Sequence, residues 1–229
     1  MRLEASGFFA TFRQHEDAMS RELAPIFRRA ATAGQGAVTL MATNAGMVDL
    51  IANWLCAARA PGPESASLQR AAASVVVFAS DAATRAALAA LGVGAAYHHQ
   101  GLGELPTESA GNYGDFTFVR MMWLKVTSVY LANAAGHDVL FQDADVVWLR
   151  DPLAYFREAA DPAVDSFWMD DGARTIRCAA RLSTRGVFFA ARVLRAVLAR
   201  ARERERERES LLERWRFPSF LLLLSRLQV

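Results

Sequence analysis

Three short apolar runs, each joined through a polar turn or a glycine to a helical pattern, constrain this chain more than any other feature. AVTLMAT (37–43) is the first. Asn44 to Gly46 turns the chain, and Met47 to Arg59 then repeats apolar residues at helical spacing, with Val48, Leu50, Ile51, Trp54 and Leu55 predicted to face inward. SVVVFAS (74–80) is the second. Asp81 follows it as a helix N-cap, and a helix from Ala82 to Leu91 ends at Gly92. A helix from Phe116 to Ala135, stopped by Gly136, leads into the third run, Asp138 to Phe141. Such runs suit strands covered on both faces, and strands alternating with helices build parallel βαβ units. The expected fold class is therefore α/β, a mostly parallel, Rossmann-like sheet flanked by helices. Ligands of such sheets collect at the carboxyl ends of the strands, where this chain carries Thr43–Asn44, Ser80–Asp81 and Asp143–Asp145.

The remaining segments are less regular. Ala18 to Ala33 is predicted helical, with Leu23, Ile26 and Phe27 at helical spacing and Gly34 and Gly36 stopping it. PGPES (61–65) breaks the chain, Val93 to Tyr97 suits a third short strand, and His98 to Asp115 reads as a long loop. SFWMD (166–170) and GVFFA (186–190) suit further strands. Arg192 to Trp215 is helical by composition. Its RERERERE run sets opposite charges at i,i+3 but like charges at i,i+4, which describes a solvated, low-complexity helix.

Composition narrows the class. With 53% hydrophobic and 22% charged residues among 229, the chain can fill a globular core, and a net charge of +2 argues against a nucleic-acid partner. Cys56 and Cys178 read as separate buried thiols. No apolar run reaches the ~18 residues of a membrane span, and no signal-peptide core is visible. His98 and His99 are neighbours and suit a loop better than a metal, and Gly101 to Gly103 lacks the glycine pattern of a dinucleotide loop.

The chemistry sits in FQDADVVWLRDP (141–152). Asp143 and Asp145 are two apart, so on an extended strand both carboxylates would face one ligand. Paired hard oxygens suit Mg2+ or Mn2+, with the rest of the shell coming from a diphosphate and water. The bland reading is that two acids end a strand. Against it, Val146, Val147 and Trp148 follow directly, and carboxylates in apolar surroundings are costly unless paired or bound to metal.

DVLFQDADVVWLRDP resembles the D-V-D-V-V-W-L-R-D-P signature of the nucleotide-diphospho-sugar transferase family that includes plant-type arabinosyl- and xylosyltransferases. Other stretches match in order. VTLMATNAGMVDLIANWLCAAR resembles the opening strand, T-N turn and helix of that family, VVVFASDAATRAALAALGV its second strand–helix unit, and FVRMMWLKVTSVYLANAAGHDVLF its lysine-bearing helix. The resemblance implies a GT-A-like domain over 37–191, after an N-terminal helical segment (1–36) and before a charged tail (192–229) foreign to the family. It implies a metal-dependent glycosyltransferase that uses Mn2+ or Mg2+ to move a sugar, with retention, from a nucleoside-diphosphate donor to a glycan or glycoprotein hydroxyl. A uridine diphosphate sugar stands first among the donors, and the Golgi lumen is the implied setting.

The same resemblance assigns roles. Asp145 is the main metal ligand, and Asp143 shares the metal or contacts the ribose. Thr43 and Asn44 line the nucleoside pocket, Asp81 touches base or ribose, and Lys125 faces the diphosphate. Asp170 and Asp171 reach towards sugar or acceptor. LSTRGVFFA departs from the family: Arg185 and Gly186 stand where an Asn and its neighbour shape the donor-sugar site, while Gly186, Phe188 and Phe189 keep the outline. The likeness stops near Ala191, ahead of the late elements of the family, so an incomplete, inactive nucleotide-binding fragment is one alternative. A haloacid-dehalogenase-type phosphohydrolase is another, because DADVV also fits its motif, with Asp143 as nucleophile and Asp145 as general acid. That motif usually opens its domain, and here about 140 residues precede it.

Overall fold

Burial on both faces organises the strands. The computed structural model describes residues 2–112, 114–159, 166–168 and 188–190. Within them β1 (Ala37–Thr43), β2 (Val75–Ala79), β3 (Ala96–Tyr97) and β4 (Asp138–Phe141) are parallel, in the order β3–β2–β1–β4. The sheet continues past β4 with two strands of the opposite sense of pairing: β5 (Ser166–Trp168) lies outside β6 (Phe188–Ala190), and β6 pairs antiparallel with β4. The α/β, mostly parallel sheet expected from the sequence is therefore the observed fold.

Alternate residues divide the core. Val38, Leu40 and Ala42 of β1 share one face with Val76, Phe78, Val139 and Phe141, beneath α1 (Arg2–Ala33) and α5 (Phe116–Ala134). Met41, Val75, Val77 and Ala79 face the other way, towards α2 (Val48–Arg59), α3 (Ser65–Ala72) and α4 (Ala82–Ala90). The side-chain period of two along each strand thus feeds two apolar layers. One polar contact is enclosed there: the Thr39 and Ser74 hydroxyls lie 2.9 Å apart, and Ser74 also donates to the Ala71 carbonyl.

Several elements differ from their sequence reading. The first helix starts at Arg2, not near Ala18, because Phe8, Phe12, Met19, Leu23 and Phe27 form one buried stripe. The polar residues Arg13 to Asp17 interrupt that stripe in the sequence, yet they include a core-binding group: Glu16 accepts the Tyr130 hydroxyl of α5 at 2.5 Å. Pro25 lies inside α1 on its exposed side, where the carbonyl left without a helical donor can meet water. The helix α3 starts at Ser65, the last residue of the predicted break, and continues through a stretch where the sequence reading places no element. Leu50, predicted inward, is 38% exposed, and Cys56 is exposed, not buried. No described helix is long and apolar enough to cross a membrane.

Candidate functional site

From β1 the chain places β2 on one side and β4 on the other, so a crevice opens between the carboxyl ends of β1 and β4. Asn44 follows β1 directly, and Asp143 comes two residues after β4. α5 runs over this crevice. A cavity of about 600 Å3 results, with Asn44, Lys125, Asp143 and Asp145 in its wall. Its apolar sides come from Met47 and Leu50 near the start of α2 and from Phe118, Met121 and Met122 of α5. Leu50 is exposed because it faces this cavity.

The acidic pair is held by a turn, not by the strand. β4 stops at Phe141, and Gln142 carries the ladder one step further by donating its N–H to the Leu40 carbonyl at 3.0 Å. The Gln142 side chain is fully buried. Its amide donates to the Val146 carbonyl at 3.4 Å and accepts from Trp148 Nε1. Trp148 packs edge-on against Trp54, with ring centroids 5.1 Å apart. The DADVV turn is thereby pinned from inside by a glutamine and an indole. Asp151 caps α6 (Pro152–Ala159), accepting from Leu153 N–H at 2.8 Å, with Pro152 at the first helical position. The end of the acidic segment is therefore structural.

The two acids are not equivalent. Asp143 is paired with Lys125, and both side chains are mostly buried. Lys125 also lies over the Phe141 ring, with Nζ 5.7 Å from its centre. Asp145 is exposed and has no hydrogen-bond or ion-pair partner among the described residues. No described group of three or more His, Cys, Asp or Glu side chains can hold a metal alone. Two carboxylates on one cavity wall do fit a hard cation that takes its remaining ligands from phosphate oxygens and water, as Mg2+ and Mn2+ do.

Another part of the wall is a strap that the sequence shows only as loop. The Asn44 side-chain amide donates to the Glu108 carbonyl at 2.6 Å, Gly46 N–H to the Thr107 carbonyl at 2.9 Å, and the Ser109 hydroxyl to the Gly46 carbonyl at 2.7 Å. Asn44 is fully buried, and its Oδ1 has no partner, although Asn44 lines the cavity. Gly46 is required here by close approach: a Cβ would stand 2.4 Å from Ser109 N. Gly46→Ala is expected to push the strap away, lowering stability by about 1–3 kcal/mol in urea unfolding. Loss of amide-exchange protection at Gly46 checks the location.

Thr43 and Asp81 lie elsewhere. Thr43 is buried with its hydroxyl 3.3 Å from the Asn44 carbonyl and does not line the cavity. Asp81 does not line it either. Its carboxylate accepts from Ser80 Oγ at 2.6 Å, Thr84 N–H at 2.7 Å and Thr84 Oγ1 at 2.7 Å. Burial raises the Asp81 pKa, but these hydrogen bonds outweigh it and hold the group below its ordinary 3.8. A depressed carboxylate stabilises the fold above the unfolded-state value and loses that contribution as pH falls through the folded-state value. Asp81→Ala is therefore expected to cost about 1 kcal/mol at neutral pH, as other N-cap removals do, and to match the wild type in strong acid. Paired urea titrations at both pH values measure this. Asp170, Asp171, Gly186, Cys178 and the Arg–Glu run lie outside the described residues.

The sequence profile of the nucleotide-diphospho-sugar transferases matches residues 70–197, more than half of the chain. The chain belongs to that family. No curated protein and no solved structure matches it. The match covers Asp81, Lys125, Asp143 and Asp145, while β1 and Asn44 precede it. Family membership suggests a glycosyltransferase, with a nucleotide sugar as donor and a glycan as acceptor. Sequence reasoning passed over Gln142, Ser109 and the α5 methionines. Only Gln142 left a trace, as a polar residue closing an apolar strand.

Proposed function

We infer that the cavity binds a metal–nucleoside diphosphate and that the chain transfers a sugar from such a donor to a hydroxyl of a glycan or glycoprotein. The juxtaposition of Asp143 and Asp145 in one cavity wall, beside the Lys125 ammonium, carries this reading. The resemblance of the acidic segment to the family signature favours a uridine diphosphate donor. Met121, Met122 and Phe118 offer apolar surface to a base or sugar ring. Asp145 and Asp143 would hold Mn2+ or Mg2+, which as a Lewis acid stabilises charge on the departing diphosphate. Lys125 adds a positive charge beside the diphosphate.

Calorimetry with Mn2+ and a panel of uridine and guanosine diphosphates tests the reading. A uridine diphosphate is expected to bind with Mn2+ present and to be released by a chelator. Wild-type chain that binds no diphosphate under either condition would refute it.

A further inference from the structure

We propose that Lys125 is a resident cation that keeps free metal off Asp143 and makes metal and nucleoside diphosphate bind together. The inference rests on the reading of the cavity given above. Its basis is the inequality of the two acids: Asp145 is open, while Asp143 is taken by the Lys125 ammonium. Lys125 projects from the middle of a 19-residue helix whose neighbouring Leu124 and Ser128 are fully buried. The backbone is anchored, so the flexible four-carbon stem is the part able to move.

A divalent cation arriving alone meets one free carboxylate and one already neutralised. To use both it must expel the ammonium from Asp143 and leave it facing a dication in a half-enclosed cavity. Like charges at such range repel strongly when water is partly excluded. A cation arriving with a diphosphate brings the ammonium a new anionic partner, and the expelled Lys125 is compensated at once. The same lysine therefore opposes metal alone and favours the metal–diphosphate complex. By reciprocity, each ligand strengthens the other by the same factor. The exchange also ties departure of the metal to departure of the product diphosphate, which resets Lys125 onto Asp143.

The experiment titrates the full chain with Mn2+ by electron paramagnetic resonance, without and with saturating UDP, and with UDP by calorimetry in Mn2+. In the wild type, UDP is expected to tighten Mn2+ by at least about tenfold, within the 5–150-fold common for coupled sites. Lys125→Met is expected to tighten Mn2+ alone and to weaken UDP in Mn2+, each by several-fold. Lys125→Arg, which keeps the charge, retains the coupling. Wild-type affinities for Mn2+ that are equal with and without UDP overturn the proposal, and this arm does not depend on the variant folding. So do Lys125→Met affinities that fall together or stay unchanged. Wild type that binds no UDP at all overturns the site reading itself, a result distinct from binding without coupling.

Discussion

Asp145→Ala is expected to lower the affinity for a nucleoside diphosphate in Mn2+ by about 100-fold or more, with little effect on the melting temperature. Losing one partner of a charged, hydrogen-bonded contact typically costs 2–5 kcal/mol in binding, and about 2.7 kcal/mol corresponds to 100-fold. The stability prediction follows from position: Asp145 is exposed and unpaired among the described residues, so truncation leaves no buried group orphaned. Asp143→Ala makes an instructive contrast. It frees Lys125 in a mostly buried setting and should lower both affinity and stability. Calorimetry and thermal melts on the two variants read this difference. Equal affinity in wild type and Asp145→Ala would rule out Asp145 as a metal ligand.

The second large effect concerns the support of the acidic turn. Trp148→Ala removes a 6%-exposed indole from its contact with Trp54 and leaves the buried Gln142 carbonyl without its donor. Truncations of this kind cost about 3–5 kcal/mol, a large part of the stability of an ordinary domain. Urea unfolding should show a midpoint moved far down. Trp148→Phe keeps much of the packing but not the indole N–H, and should cost about 1–3 kcal/mol for the unsatisfied amide oxygen. If the two variants were equally stable, the hydrogen bond, not the volume, would dominate.

Legibility in the sequence followed the range of the interactions. β1, β2 and β4 were readable because burial on both faces leaves unbroken apolar runs. Asp81 as a cap and Gly136 as a stop were readable because each acts within a few residues; Gly136 indeed has φ of 89°. The first half of α1 was missed because its stripe is diluted by Arg13 to Asp17, whose role depends on Tyr130, 114 residues on from Glu16. The helix α3 was missed because SASLQRAA holds a single large apolar residue, Leu68. At the site, the acidic pair and Lys125 were named from sequence, but their contact was not, since Lys125 and Asp143 meet only after α5 and β4 pack. The strap over Asn44 is the least legible part: its hydrogen bonds join residues 44–46 to residues 107–109, and each ends on a backbone carbonyl, a group that every residue possesses.

The 32-residue first helix carries a consequence for synthesis. Its apolar stripe is synthesised ahead of part of its cover: α5 begins more than eighty residues after α1 ends, and Tyr130 follows Glu16 by 114 residues. At about 5–20 residues per second the N-terminal part of the stripe waits on the order of ten seconds for α5. Leu23 and Phe27 can meet β1 and β2 early, whereas Phe8 and Phe12 gain their ring partners Trp123 and Tyr130 only when α5 arrives, so the helix is completed from its C-terminal end towards its start.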